Sequence, residues 1–230
     1  MVIYSESDVH DIMGEKHFDN AVVVQDGLPV KAMRPLLVGL TGGIGCGKTT
    51  VVNVFRKIGI PCFVADDKAG KYYDEDDFLK QLRGILGDAA FFSNGKADKK
   101  AIANIVFHDR EKLLALNTLV HPRLMKEFAD WASQIEAPYV IIESAVLFEY
   151  HLDEALDRII CVYLGKKECL SRLTLRDHVC REALEARMRN QLSAEEKMDR
   201  SDYVILNYEG NPRTRQVRHI DQLIRESISL

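Results

Sequence analysis

The five cysteines of this 230-residue chain lack any pairing pattern. Cys46, Cys62, Cys161, Cys169 and Cys180 contain no Cys-x-x-Cys pair, and their odd number leaves no complete disulfide framework. Neither a structural zinc site nor a cross-linked scaffold is indicated, and the five are read as reduced thiols. Repeats and low-complexity tracts are absent. No apolar run approaches the ~18 residues that a membrane span requires. The acidic opening, Met1 to Asp8, lacks the basic and apolar regions of a signal peptide. A cytoplasmic protein with no membrane association is the expectation. Neither sign of charge dominates: 31 Lys and Arg against 35 Asp and Glu give a net charge of −4 and a pI near 6.0. That balance argues against a general nucleic-acid binder.

What is present is ordinary for a folded domain, with 47% hydrophobic and 29% charged residues. The length suits one domain, or a core with a smaller insert. Residues 1–34 stand apart, carrying a net −3 of the whole charge, and read as an appendage. Within them Ala21–Val24, followed by Gln25-Asp26-Gly27-Leu28-Pro29, suits a short strand and turn. Met33 directly precedes the first strong strand and is a candidate alternative start.

From Leu36 short apolar runs alternate with amphipathic stretches, the pattern of βαβ units and a mostly parallel sheet. Strands are expected at Leu36–Leu40, Pro61–Ala65, Tyr139–Ile142, Ile159–Leu164 and Tyr203–Leu206. Each is almost wholly apolar, as strands covered on both faces must be. Helices are expected at Lys48–Lys57 and from Asn211-Pro212 to the C-terminus, with a Ser193-x-x-Glu196 capping box before another. The seventy residues from Asp66 to Pro138 are too long for a simple crossover and should carry extra helices. One opens at Asp98 and runs to Phe107; Asp109–Trp131 reads as helical with an interruption at His121-Pro122.

Gly42-Gly43-Ile44-Gly45-Cys46-Gly47-Lys48-Thr49 fits Gly-x-x-x-x-Gly-Lys-[Ser/Thr] between an apolar strand and an amphipathic helix. Its glycines let backbone N–H groups gather around phosphate oxygens at the positive end of a helix. Lys48 then reaches the β- and γ-phosphates and the Thr49 hydroxyl ligates Mg²⁺. Cys46 reads as a small residue in a tight loop, with an oxidation site as the alternative. Such a loop specifies a nucleoside triphosphate but not a reaction: a small-acceptor kinase and a nucleotide-dependent switch both fit. Asp67-Lys68-Ala69-Gly70 matches a GTPase tetrapeptide, yet no Asn-Lys-x-Asp guanine motif occurs.

Asp66 closes the second strand, and the carboxyl ends of strands in open α/β sheets are where ligands bind. A carboxylate there would orient an attacking hydroxyl and take its proton, while Asp67 would cap the following helix. Residues 166–189 hold seven basic side chains against four acidic ones. Arg172 and Arg176, four apart, share a helical face, as do Arg187 and Gln191 beyond a turn at Asp177–Cys180. Paired arginines suit a lid closing over transferring phosphates and favour the kinase.

Six motifs in order now resemble those of the dephospho-CoA kinases: Leu40–Thr50, Ala65-Asp66, His121-Pro122, Leu147-Phe148-Glu149, Arg172–Asp177 and Asp202–Asn207. The resemblance spans roughly residues 36–225. It implies a P-loop NTPase-type α/β fold, a five-stranded parallel sheet flanked by helices with a helical acceptor-binding insert and a helical lid. The implied division is core 35–66, 138–165 and 200–230, acceptor region 67–137 and lid 166–192. The implied reaction moves phosphate from ATP to the ribose 3′-hydroxyl of 3′-dephospho-CoA, giving CoA and ADP. By the same likeness Gly43, Ile44, Gly45, Cys46, Gly47, Lys48, Thr49 and Thr50 bind ATP and Asp66 activates the hydroxyl. Arg172 and Arg176 belong to the lid, Asn207 lies near the adenine, and His121 and Glu149 lie near the acceptor. Two departures stand out. Val64-Ala65-Asp66 replaces the usual Asp-Ala-Asp, and Ala145-Val146 precedes Leu147-Phe148-Glu149 where Pro-Leu is usual. Glu143, ending its strand, either adds polar contacts at the ligand edge or is solvated.

Overall fold

The structure, a computed structural model, describes residues 3–4, 22–24, 34–177, 188 and 191–228. Met33, the turn at residues 25–29, the turn residues 178–180 with Cys180, and Arg181, Arg187 and Arg189 lie outside the described residues, as does the side chain of Arg176. The chain divides into two compact units, one running to Phe63 and resuming at Ala132, the other spanning Val64–Trp131.

The first unit is built on a sheet. Two short strands, β1 (Ile3–Tyr4) and β2 (Val22–Val24), precede β3 (Leu36–Thr41), β4 (Cys62–Val64), β5 (Tyr139–Glu143), β6 (Arg158–Tyr163) and β7 (Tyr203–Leu206). The order β1-β2-β7-β6-β3-β5-β4 puts β3 in the middle. It lies parallel to β5, with Leu36 opposite Tyr139, and parallel to β6, with Val38 opposite Arg158. β6 and β7 are parallel too. All five expected strands are therefore present, and every residue of β5 and β7 is buried, in keeping with sequences that are apolar throughout β7 and as far as Glu143 at the end of β5. The strand expected at Ala21–Val24 also forms: Val22–Val24 pairs antiparallel with β7 and extends the sheet. Because β3, β5, β6 and β7 point one way, Gly42, Ser144, Leu164 and Asn207 follow their strands at a single edge.

Helix α1 (Lys48–Lys57) follows β3 and buries Val51, Val52 and Phe55. The second unit opens with α2 (Ala65–Tyr72), α3 (Asp76–Leu86) and α4 (Lys99–His108), and α5 (Arg110–Ala132) returns to the first. There α6 (Lys166–Asp177), α7 (Ala194–Asp199) and α8 (Arg213–Ile228) complete the fold; α8 packs on α1 and β7, and α7 on β6. The predicted capping box is formed: Glu196 N–H donates to Ser193 Oγ and Ser193 N–H to Glu196 Oε2.

The helices of the second unit close on Tyr72, Phe78, Leu82, Leu86, Ala90, Ile102 and Leu116. Arg123 stacks its guanidinium 4.3 Å over the Tyr72 ring and pairs with Glu75. Two sequence expectations need correction here. Helix α2 begins at Ala65 from an extended Val64 with no side-chain cap, so Asp67 caps nothing. Asp66 and Asp67 instead both occupy the first turn, where the helix dipole favours carboxylates. Nor is there a break at His121-Pro122, since α5 runs 23 residues with Pro122 inside it. A proline forfeits one backbone hydrogen bond and strains the turn before it. The helix spans this defect because Leu116 on one side and Leu124 and Phe128 on the other are buried.

The Asp98 cap is as expected, its carboxylate accepting from the N–H groups of Lys100 and Ala101 at 2.9 and 3.1 Å. Asp98→Ala should destabilise the protein by about 1 kcal/mol in urea unfolding. Asp67→Ala, which removes only a dipole contact, should cost less than about 0.5 kcal/mol; equal losses would restore the Asp67 cap.

Candidate functional site: a phosphate loop and its supports

Residues 42–47 turn the chain from β3 into α1. Gly42 and Gly47 both have positive φ, +143° and +94°. A Cβ at Gly42 would stand 2.3 Å from the Val162 carbonyl oxygen, so glycine is required on two counts. The turn is closed by Cys46 N–H to the Gly43 carbonyl at 3.3 Å, and Thr50 N–H donates to the Gly47 carbonyl at 3.1 Å. Lys48 Nζ donates to the carbonyls of Gly42 and Gly43 at 3.0 and 3.2 Å, so the cation lies within the loop. Helix α1 starts from Gly47 with no side-chain cap and no acidic residue in its first turn. Its dipole is left without a protein carboxylate there, as anion binding needs.

The loop is held from behind. Cys46 is fully buried, and burial pushes its thiol pKa up while Lys48 and Lys197 pull against that. A thiol so placed stays protonated near neutral pH, which favours the structural reading of Cys46 over the redox one. Ile44 packs on Leu170 and Leu173 of α6 together with Met188. Asn207, expected near the adenine, is 1% exposed and gives its side-chain amide to the Cys46 carbonyl at 2.6 Å. Arg172 donates from Nη2 to the Asn207 carbonyl at 2.9 Å. The structure therefore brings the loop, Lys48, Thr49, Asn207 and Arg172 together in the first unit.

Glu149, expected near the acceptor, lies in the first unit past β5. Its Oε1 lies 2.7 Å from Nζ of Lys197, a fully buried lysine that also donates to the Ala145 carbonyl. The same oxygen accepts from Leu192 N–H at 2.9 Å, while Oε2 is buried with no hydrogen-bond partner. Glu143 is 6% exposed, so the solvated alternative is excluded. Asp66 and His121 belong to the second unit: Asp66 is exposed in the first turn of α2, and His121 is half-buried in α5. Burial lowers the His121 pKa from the usual imidazole value.

Sequence reasoning missed Lys197, Arg213 and Gln216. Gln216 had a signal, since it falls on the stripe of Ile220 and Ile224 that α8 buries. Its carboxamide accepts from Leu206 N–H at 2.9 Å and donates to the Leu206 carbonyl at 3.0 Å. Lys197 had none, because one lysine in a short charged helix reads as solvated.

The family model for dephospho-CoA kinase matches residues 36–212, well over half the chain. The chain belongs to the dephospho-CoA kinase family. That family catalyses the final, ATP-dependent step of CoA biosynthesis. A dephospho-CoA kinase of Chlorobaculum tepidum is 39% identical over 186 residues, covering 77% of this chain and 89% of the relative. One of Bacteroides fragilis (strain YCH46) is 31% identical over 193 residues, covering 83% and 94%. Among solved structures, a Thermus thermophilus protein is 30% identical with a TM-score of 0.73, covering 84% of this chain and 98% of its own. The dephospho-CoA kinase from Campylobacter jejuni, at 24% identity and a TM-score of 0.54, matches in fold. No helix of the described residues is long and apolar enough to cross a membrane.

Two outcomes test these placements. Glu149→Ala strands a buried ammonium and should cost about 3–5 kcal/mol, most of it regained when Lys197→Met is added. An exposed pair would lose under about 1 kcal/mol in the same unfolding experiment. Cys46 in the native protein should resist iodoacetamide at about pH 8 and react fully in denaturant, as read by peptide mass.

Proposed function

We propose that this chain transfers the γ-phosphoryl group of ATP to the ribose 3′-hydroxyl of 3′-dephospho-CoA, releasing ADP and CoA. The observation that carries the residue assignments is the Lys48 ammonium inside a glycine-bent loop at an uncapped helix start. In this reading the loop of residues 43–50 binds the phosphates through the backbone N–H groups that do not close its turn, and Lys48 exchanges the Gly42 and Gly43 carbonyls for β- and γ-phosphate oxygens. The acceptor oxygen attacks phosphorus as the bond to the ADP oxygen breaks, and Asp66 aligns the hydroxyl and takes its proton. Arg172 and Arg176 are assigned to neutralising charge on the moving group. The segment around Asn207 is assigned to the adenine end of ATP, and His121 and Glu149 to the acceptor.

The Thr49 hydroxyl, in the exposed first turn of α1, is a hard oxygen donor suited to Mg²⁺. Among the described residues no cluster of three His, Cys, Asp or Glu could hold a metal. A Mg²⁺ ion held by Thr49 would therefore take most of its ligands from phosphate and water. When bound, it would offset negative charge between the β- and γ-phosphates.

The reading also carries the functional division: an appendage at 1–34, a core at 35–66, 138–165 and 200–230, an acceptor region at 67–137 and a lid at 166–192. A cytoplasmic location without nucleic-acid or membrane partners goes with it.

ADP release should depend on 3′-dephospho-CoA, and the product should gain one phosphate at the 3′ position by mass and ³¹P NMR. Acceptor-independent hydrolysis alone would overturn the acceptor assignment. Asp66→Asn should lower kcat by at least about 100-fold while leaving the ATP KM within about threefold. Near wild-type turnover would reduce Asp66 to a first-turn carboxylate.

A further inference from the structure

Asn207 is the first residue past β7, and all its polar groups are used. Its N–H donates to the Tyr163 carbonyl at 2.9 Å, and its own carbonyl accepts from Arg172. In the side chain, Oδ1 accepts from Arg213 Nη1 at 2.6 Å and Nδ2 donates to the Cys46 carbonyl at 2.6 Å. The preceding residue is fixed as well, since Gln216 grips both backbone groups of Leu206. Asn207 thus projects from an immobilised strand end. A Cβ at Gly47 would lie 2.2 Å from its Nδ2, so the two residues fit only because position 47 has no side chain.

We propose that Asn207 is a positioning residue for the phosphate loop, setting the orientation of the peptide that joins Cys46 to Gly47. In a trans peptide the C=O and N–H point in opposite directions. Holding the Cys46 oxygen on Asn207 therefore turns the Gly47 N–H away from it, toward the other side of the loop. Arg213 fixes which end of the carboxamide faces Cys46, because a guanidinium accepts nothing and must have the oxygen. Through its own carbonyl the same residue locates Arg172, so the loop and the arginine of α6 share one point of reference. The inference rests on assigning residues 43–50 to the ATP phosphates.

Asn207→Asp separates positioning from folding. It keeps the shape and the Arg213 partner but sets a carboxylate oxygen against the Cys46 carbonyl. The melting temperature should stay within about 3 °C, while ATP binding by calorimetry weakens at least about tenfold. Asn207→Leu, of similar size and without charge, should weaken ATP binding as well, which separates lost positioning from repulsion of the phosphates by a buried carboxylate that salt screens poorly. The KM for 3′-dephospho-CoA should hold within about threefold. ATP affinity within about threefold of wild type in either variant would overturn the role. Should Asn207→Asp fail to fold, Arg213→Ala decides: it frees the carboxamide to turn and should weaken ATP binding several-fold, unchanged affinity overturning the proposal. Because binding is measured without the acceptor, failure of the acceptor assignment leaves this test intact. A wild-type chain that bound no ATP would overturn the loop assignment and this inference together.

Discussion

A loop that surrounds an anion with backbone N–H groups must be held by something other than those groups. This constraint accounts for most of what encloses residues 42–47. The Cys46 carbonyl has a partner that does not compete for phosphate, the Asn207 amide, whereas the Gly42 and Gly43 carbonyls hold Lys48 Nζ, which the proposed reaction transfers to phosphate. Of the side chains that remain, Cys46 is buried inside the unit and Ile44 is half-buried against Leu170 and Leu173. Glycine at 42 and 47 follows from the same requirement, because a Cβ at either would meet a Val162 carbonyl or the Asn207 amide.

At the edge where the sheet's parallel strands begin, carboxylates hold backbone N–H groups. Asp157 accepts from Leu37 at 2.7 Å while pairing with Arg34, and Asp202 accepts from Ile159 at 2.6 Å. Burial raises the Asp202 pKa even as the Ile159 N–H and Arg158 act to lower it. At the opposite edge stand the loop, Glu143, Ser144 and Asn207.

What was legible in the sequence was local. Five apolar runs read as covered strands, the glycine-rich octapeptide read as a phosphate loop, and Asp98 and Ser193 read as caps, because each depends on residues a few positions apart. Partners far apart in the chain were not legible: Asn207 and Cys46 are separated by 161 positions. Helix limits failed where tertiary packing outweighed local preference, at Pro122, and where a helix began straight from a strand, at Ala65. Motif membership does not by itself say what a side chain touches. Glu149 and Asp202 both lie in motifs of the family resemblance, yet one is bound to Lys197 and the other to a strand N–H.

The Glu149–Lys197 pair shows why such residues stand in motifs at all. Desolvating two charges costs about as much as their attraction returns, so a buried ion pair adds little stability over an apolar pair of the same volume. What it does impose is geometry. Lys197 on α7 is tied to Ala145 and Glu149 just past β5, and Glu149 also fixes the N–H of Leu192. The chain re-entering α7 after the arginine-rich segment is thereby located against the edge of the sheet that carries the phosphate loop. At its other end that segment begins on α6, where Leu170 and Leu173 pack on Ile44 and Arg172 holds the Asn207 carbonyl. Both ends of the proposed lid are thus anchored to the first unit by buried or backbone-directed contacts.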